Sequence, residues 1–328
     1  MPAAAGPVLV MGAGSIGCYL GGRLAAAGRE VAFVGRPRVL RALARHGLTL
    51  QERGRPPATL PAAALALHEQ PPSALRPALV LLCVKSGAVE VASQALDAVL
   101  PAGTPVIALQ NGLHAATRAG AAAPRLRVLA GMVPYNVAEL GPGSYLRGSD
   151  GALALQDDPV TRAWLEPLRA AGLAARTWPD MRAVQWAKLL LNLNNPVNAL
   201  SGLHLRAQLL DAALRAETAA LMDEALALLR LAGQPLARLT PLPPGWLPTV
   251  LRLPTPLFRL LAARMLNIDW RARSSMADDL ALGRPTEIDA LCGEVVRLAE
   301  SLGRQAPRNE AMMRRLRSAS RGALQCPS

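Results

Sequence analysis

Apolar residues in this chain fall into two kinds of pattern. In the first half, short uninterrupted runs recur: Val8-Leu-Val-Met11, Val31-Ala-Phe-Val34, residues 78–84 and Val106-Ile-Ala-Leu109. Runs of this length without alternation are what parallel strands buried on both faces require. Helical spacing fills the intervals, from residue 15 to Ala27 with Gly28 as the predicted stop, and again over 88–99. A last short strand is predicted at 174–177. From Trp178-Pro-Asp180 onward, a helix-starting sequence, the pattern is helical: first over 185–192, then as one long amphipathic helix over 207–232 whose Leu and Ala predict core. Two proline-rich stretches interrupt the pattern. Residues 56–61 read as a surface hairpin or loop, and 235–256 as an irregular connection or lid. The chain is therefore expected to be α/β, with a parallel-sheet domain over 1–178 and an all-helical domain over 179–328.

The first strand runs directly into Gly12-Ala13-Gly14-Ser15-Ile16-Gly17 and a helix. In such a βαβ opening one glycine turns the chain tightly, one lets the backbone approach a pyrophosphate, and one lets helix and strand pack closely. The N-terminal domain is thus expected to be of the Rossmann type and to bind a dinucleotide. After the second strand stands Gly35-Arg36-Pro37-Arg38, with none of the acidic residues that would bond a ribose 2′-hydroxyl. The Arg36 guanidinium suits a 2′-phosphate, with Arg38 as a second contact; a plain solvated arginine is the alternative. Lys85 and Gln110-Asn111-Gly112 directly follow two further strands, at the carboxyl ends where ligands sit in open α/β sheets.

Charge changes the picture less than its size suggests. The 328 residues carry a net charge of +13, yet of 36 lysines and arginines only Lys85 and Lys188 are lysines. Arginine is expected to fill ordinary surface positions, including those of the C-terminal segment, where no aromatic platform or reader motif argues for nucleic acid. No apolar run approaches the roughly 20 residues of a membrane span. Cys18, Cys83, Cys292 and Cys326 lie far apart without metal spacing, and nothing basic precedes the first strand, so reduced thiols and a cytoplasmic location are expected.

The lysine asymmetry singles out Lys188. Unlike arginine, lysine can give up its proton when its pKa is brought down. Four of the chain's few asparagines, Asn192, Asn194, Asn195 and Asn198, follow it closely, and Asn192 lies one helical turn away on the same face. Two readings are open: a lysine desolvated amid Leu189, Leu190 and Leu191, or a solvated one on a helix ending before Pro196. Further on come Ser274-Ser275-Met276 and Gly283-Arg-Pro-Thr286-Glu287-Ile-Asp289. Gly283 is expected to end one helix. Thr286 and Asp289 read as a capping box for the next, with Glu287 in its first turn.

Taken together, the Gly12–Gly17 loop, Val84-Lys85, Gln110-Asn111-Gly112, Trp186-Ala-Lys188 with Asn192, Ser274-Ser275-Met-Ala-Asp-Asp279 and Gly283-Arg-Pro-Thr-Glu287-Ile-Asp289 resemble the ketopantoate reductase family over nearly the whole chain. The resemblance implies NADPH-dependent reduction of 2-dehydropantoate to (R)-pantoate, a step of pantothenate synthesis, with the active site between a Rossmann domain and a helical domain. It makes Lys188 the general acid and Glu287 its support. Asn111, Asn192 and Ser275 match substrate or cofactor contacts. Lys85 lines the site and Arg36 matches the 2′-phosphate contact, while Gly12 to Gly17, Asn111 and Glu287 belong to the cofactor set. Two positions depart from the family. Pro196 stands where a further asparagine is common, leaving Asn195 or Asn198 to substitute, and Cys292 replaces a frequent asparagine. Alternatives within the same fold are another small 2-oxo acid as substrate, or a non-catalytic NADP-binding regulatory protein. The apolar helical domain would suit a homodimer interface.

Overall fold

The computed structural model describes residues 6–263 and 272–325, with side chains as far as 320; Cys326 lies outside them. The described chain forms two compact units, Met1–Met181 and Arg182–Ser328.

The first unit runs β1 (Val8–Met11), α1 (Ser15–Ala26), β2 (Val31–Val34), α2 (Pro37–His46), β3 (Leu48–Glu52), β4 (Arg55–Leu60), β5 (Ala66–His68), β6 (Leu79–Leu82), α3 (Val89–Val99), β7 (Pro105–Ala108), α4 (Ala115–Ala122), β8 (Arg127–Met132), β9 (Val137–Gly141), β10 (Ser144–Arg147), β11 (Leu153–Gln156), α5 (Pro159–Ala170) and β12 (Ala175–Trp178). Eight strands form one sheet in the order β12-β11-β8-β7-β6-β1-β2-β5. From β8 to β5 all neighbours are parallel; β11 joins β8 antiparallel. The unbroken apolar runs β1, β2 and β6 are buried at every residue, as strands covered on both faces must be. One face packs Val8, Val10 and Phe33 against Tyr19, Leu20 and Leu24 of α1. The other packs Leu9, Val80 and Leu82 against Val89, Leu96 and Ala119.

A second sheet, β4-β3-β10-β9, was not expected. The 56–61 hairpin is one edge of it, and β10 pairs with β3 across ninety-odd residues of chain. It lies on α1, where a Cβ on Gly22 would come within 2.5 Å of Leu48. Glu52 fastens the contact: its carboxylate accepts from the Tyr19 hydroxyl at 3.0 Å and from Arg147 at 3.2 Å, with Arg23 at 3.6 Å.

The second unit is helical: α6 (Met181–Asn192), α7 (Asn194–Ser201), α8 (Leu205–Leu210), α9 (Ala212–Leu231), α10 (Leu247–Leu251), α11 (Thr255–Leu261), α12 (Ser275–Ala281), α13 (Cys292–Ser301) and α14 (Pro307–Gln325). The single helix expected over 207–232 is two. The chain leaves helical conformation at Asp211, whose carboxylate caps α9 by accepting from the Leu214 N–H at 3.0 Å. The 235–256 stretch is not irregular throughout, since it contains α10 and enters α11. The Ala237 N–H donates to the Ala183 carbonyl at 3.1 Å, returning the segment to α6.

Arg215 of α9 corrects the expectation that arginines here are surface residues. Fully buried, it donates to the carbonyls of Leu209 (3.0 Å), Leu251 (2.8 Å) and Leu253 (2.9 Å), and its guanidinium lies 4.4 Å over the Phe258 ring. At the C-terminus, the arginines of α14 pair with acids of their own unit, Arg315 with Glu217 and Arg317 with Asp289. Cys18, Cys83 and Cys292 are free thiols, and burial pushes Cys18 and Cys292 up to about 12. No helix among the described residues is long and apolar enough to cross a membrane.

Candidate active site

The strand order β5-β2-β1-β6-β7-β8 reverses between β1 and β6, where open α/β sheets split and hold ligands. The loop from Gly12 to Gly17 follows β1 at this point. The N–H groups of Gly12 and Ala13 both donate to the Val34 carbonyl, at 2.9 and 2.8 Å, tying the loop to the end of β2. Gly12 has φ +112°, and a Cβ there would stand 2.6 Å from the Val84 nitrogen; on Gly17 it would stand 2.1 Å from the Gly12 carbonyl oxygen. These two glycines are needed by the fold itself. Gly14 differs, because a Cβ there would meet nothing within 4 Å. The space above Gly14 is open, beside the first turn of α1 where Ser15 and Ile16 lie. The first N–H groups of a helix lack intrahelical partners and carry its positive end, which together suit a phosphate. The loop therefore fits a dinucleotide pyrophosphate.

Arg36 is exposed directly after β2, in extended conformation ahead of α2. Arg38 faces Glu139 at 3.9 Å. Lys85 is exposed just beyond β6, after Cys83-Val84, and Asn111 is half-buried just beyond β7. Gln110, buried between them, donates from Nε2 to the carbonyls of Leu82 (2.8 Å) and Val84 (3.1 Å), while its buried Oε1 has no hydrogen-bond partner among the described residues. Sequence reasoning placed Gln110 correctly but missed this bridging amide. The N-terminal candidates thus follow the carboxyl ends of the adjacent strands β2, β1, β6 and β7.

In the helical unit, α6 carries Lys188 and Asn192 one turn apart, as expected. Lys188 is half-buried beside the buried Leu189 and Leu190, and burial lowers its pKa from 10.5 to about 8. Only Leu193, itself in helical conformation, separates α6 from α7. The α7 asparagines then sort by their bonds. Asn194 exchanges bonds with the buried Gln208 at 2.8 and 3.2 Å and accepts from Thr218 at 3.3 Å. Asn198, fully buried, donates to the Leu203 carbonyl at 2.9 Å and accepts from the Ser274 N–H at 2.9 Å. Both of its amide groups are engaged by protein, so Asn198 does not offer the free amide expected of a substrate contact. The Asn195 side chain is half-buried and has no hydrogen-bond partner among the described residues.

Ser274 caps α12 by accepting from the Ala277 N–H, and Ser275 follows as its exposed first residue. Gly283 ends that helix with φ +60°. The Thr286–Asp289 capping box does not form. Residues 288–290 make a single 3-10 turn, Leu291 leaves helical conformation, and α13 begins only at Cys292, too far from Thr286 to be capped by it. Asp289 is engaged elsewhere, by Arg317 at its carboxylate and by Arg297 at its carbonyl. Glu287 is half-buried at the start of that turn. Cys292, in place of the family's asparagine, is buried in core.

A Rossmann-type sheet with an open glycine loop, joined to a helical unit that carries a desolvated lysine, defines a nicotinamide-dependent oxidoreductase. The model of the ketopantoate reductase PanE/ApbA family matches residues 8–159, and that of its C-terminal domain matches residues 180–320. The chain belongs to the ketopantoate reductase family, oxidoreductases acting on a CH–OH group. It is 29% identical to a 2-dehydropantoate 2-reductase of Mesorhizobium japonicum, over 93% of this chain and 95% of that protein. A PanE/ApbA family ketopantoate reductase from Ralstonia eutropha shares the fold with a TM-score of 0.81 at 29% identity, covering 97% of this chain and 99% of that one. A D-mandelate dehydrogenase solved with NADH and anilino(oxo)acetate shares it with a TM-score of 0.79 at 18% identity, covering 97% and 99%.

Proposed function

We propose that this protein reduces 2-dehydropantoate to (R)-pantoate with NADPH, using Lys188 as the proton donor. The observation that carries this reading is the Lys188 ammonium itself, brought by burial to about 8 and set one turn from Asn192. At neutral pH such a group is largely protonated and still able to release its proton. Gly12 to Gly17 and Arg36 hold the dinucleotide, with Lys85 and Asn111 at its reactive end. When bound, NADPH supplies a hydride to the substrate's ketone carbon. Lys188 stabilises the negative charge that develops on the ketone oxygen and transfers its proton there, an effect of roughly 10²–10⁴-fold for a positioned acid. Glu287 holds Lys188, Ser275 receives the substrate carboxylate, and Asn192 and Asn195 orient the substrate.

A second substrate reading, another small 2-oxo acid, is favoured by Pro196, which removes an amide from the position one turn beyond Asn192. A panel of 2-oxo acids assayed with NADPH and with NADH decides between them. The expected result is highest kcat/KM for 2-dehydropantoate with NADPH; a higher value for another oxo acid selects the second reading. With Arg36→Ala, NADPH is expected to lose affinity and NADH to lose little. Equal losses would remove the 2′-phosphate contact from Arg36.

A further inference from the structure

We infer that Asn198 is a positioning residue that sets Ser275 against the Lys188 helix, and that Asn195 is the α7 amide left to meet substrate. This rests on the oxo-acid reduction proposed above.

Ser274 is gripped twice by α7. Its N–H donates to Asn198 Oδ1 at 2.9 Å, and its hydroxyl donates to the Asn195 carbonyl at 3.3 Å while accepting from the Ala277 N–H at 3.2 Å. Asn198 and Asn195 lie one helical turn apart, and both Ser274 and Asn198 are wholly buried. Because α12 is only seven residues long, its first residues fix its direction, and Ser275 is the first of them. On the other side, Leu193 keeps helical dihedrals (φ −61°, ψ −11°) and its N–H bonds back to Leu189 at 3.0 Å, so α6 hands its orientation on to α7. The result is a continuous rigid path from Lys188 through α7 and Asn198 to Ser274 and Ser275.

The path needs an amide at 198. One end must accept from Ser274 while the other donates to the Leu203 carbonyl, which follows a left-handed turn at Gly202 (φ +68°). Aspartate offers only acceptors and leucine offers neither. Asn194 cannot replace Asn195 as the open amide, because Gln208 and Thr218 hold it.

The test is steady-state kinetics with oxo acid and NADPH varied separately, together with thermal melting, on the wild type and on Asn198→Ala, Asn198→Asp, Ser274→Ala, Ser274→Thr and Asn195→Ala. A displaced anchor should raise the oxo-acid KM of both Asn198 variants about tenfold, with the NADPH KM within about twofold of wild type. Ser274→Ala should move it in the same direction, and Ser274→Thr, which keeps the hydroxyl, should return it toward wild type. Asn195→Ala should raise the oxo-acid KM without lowering Tm. If the Asn198 variants lose stability but keep the oxo-acid KM, the positioning role is overturned. If they do not fold, Ser274→Pro, which suits the Ser274 φ of −73° but lacks the N–H that Asn198 accepts, takes their place, and an oxo-acid KM equal to that of Ser274→Ala overturns the role. An unchanged KM in Asn195→Ala overturns the assignment of the open amide. A wild type that turns over no 2-oxo acid overturns the proposed function and this inference together; an active wild type with unmoved variants overturns this inference alone.

Discussion

The buried amide of Gln110 reaches from just beyond β7 to the Val84 carbonyl just beyond β6, 26 residues earlier, and holds the Leu82 carbonyl as well. One side chain thus ties the segment that carries Asn111 to the segment that carries Lys85. Gln110→Met keeps the volume and removes the donor. It is expected to lower stability by about 1–3 kcal/mol, the cost of a buried carbonyl left unpaired, and to raise the KM for NADPH. Urea denaturation and steady-state kinetics check the two effects.

Gly14 and Gly17 are expected to respond in opposite ways to the same added methyl group. Gly14→Ala enters open space, so the protein should fold and melt as the wild type does while binding NADPH more weakly. Gly17→Ala drives a Cβ against the Gly12 carbonyl and is expected to cost about 1–3 kcal/mol of stability by overpacking. Melting curves combined with NADPH fluorescence titration separate the two cases.

Lys188 gives a pH prediction with a definite sign. Reduction uses the ammonium, and burial lowers its pKa to about 8, so kcat should be level below that pH and fall as pH rises through it. Lys188→Arg keeps the charge but holds its proton too tightly, and should lower kcat by roughly 10²-fold or more with NADPH affinity retained. A kcat profile that stays flat to pH 10, or near-normal turnover in the arginine variant, removes Lys188 from the proton-donor role.

Arg215→Met strips three carbonyls of α8 and of the α10–α11 segment of their donor. At about 1–3 kcal/mol for each orphaned acceptor, the variant is expected to be among the most destabilised single substitutions in the helical unit. Arg215→Lys should recover little, because one ammonium cannot reproduce the planar fork that reaches separate carbonyls. Chemical denaturation of both variants measures the difference.

The elements legible in the sequence are those whose signal is local. Strands β1, β2, β6 and β7 are unbroken apolar runs, and α6 has clear helical spacing. The glycine loop announces itself because its backbone geometry admits little else. Local signals failed where distant residues competed for the same groups. The Thr286–Asp289 pattern is a good capping box on paper, yet Arg317 and Arg297 take Asp289 and the chain breaks at Leu291. The apolar spacing of 207–232 runs through a break that Asp211 makes by capping α9. The second sheet left no local signal because strands such as β9 and β4 are largely exposed and lack an apolar run, and β10 pairs with β3 across ninety-odd residues of chain.

The sequence by itself determined the order of the apolar strands β1, β2, β6 and β7 with the helices α1, α3 and α6, the glycine loop and the two lysines spared in an arginine-rich chain, because each depends on residues within a turn or two of one another. Tertiary structure alone decided which arginine is buried, which carbonyls Gln110 bridges, and which asparagine of α7 keeps an open amide. Those outcomes depend on which donor and acceptor the fold brings within 3 Å, across separations such as the 76 residues between Asn198 and Ser274. A buried polar group must take the partner packing delivers to it, and that partner leaves no mark in the neighbouring sequence.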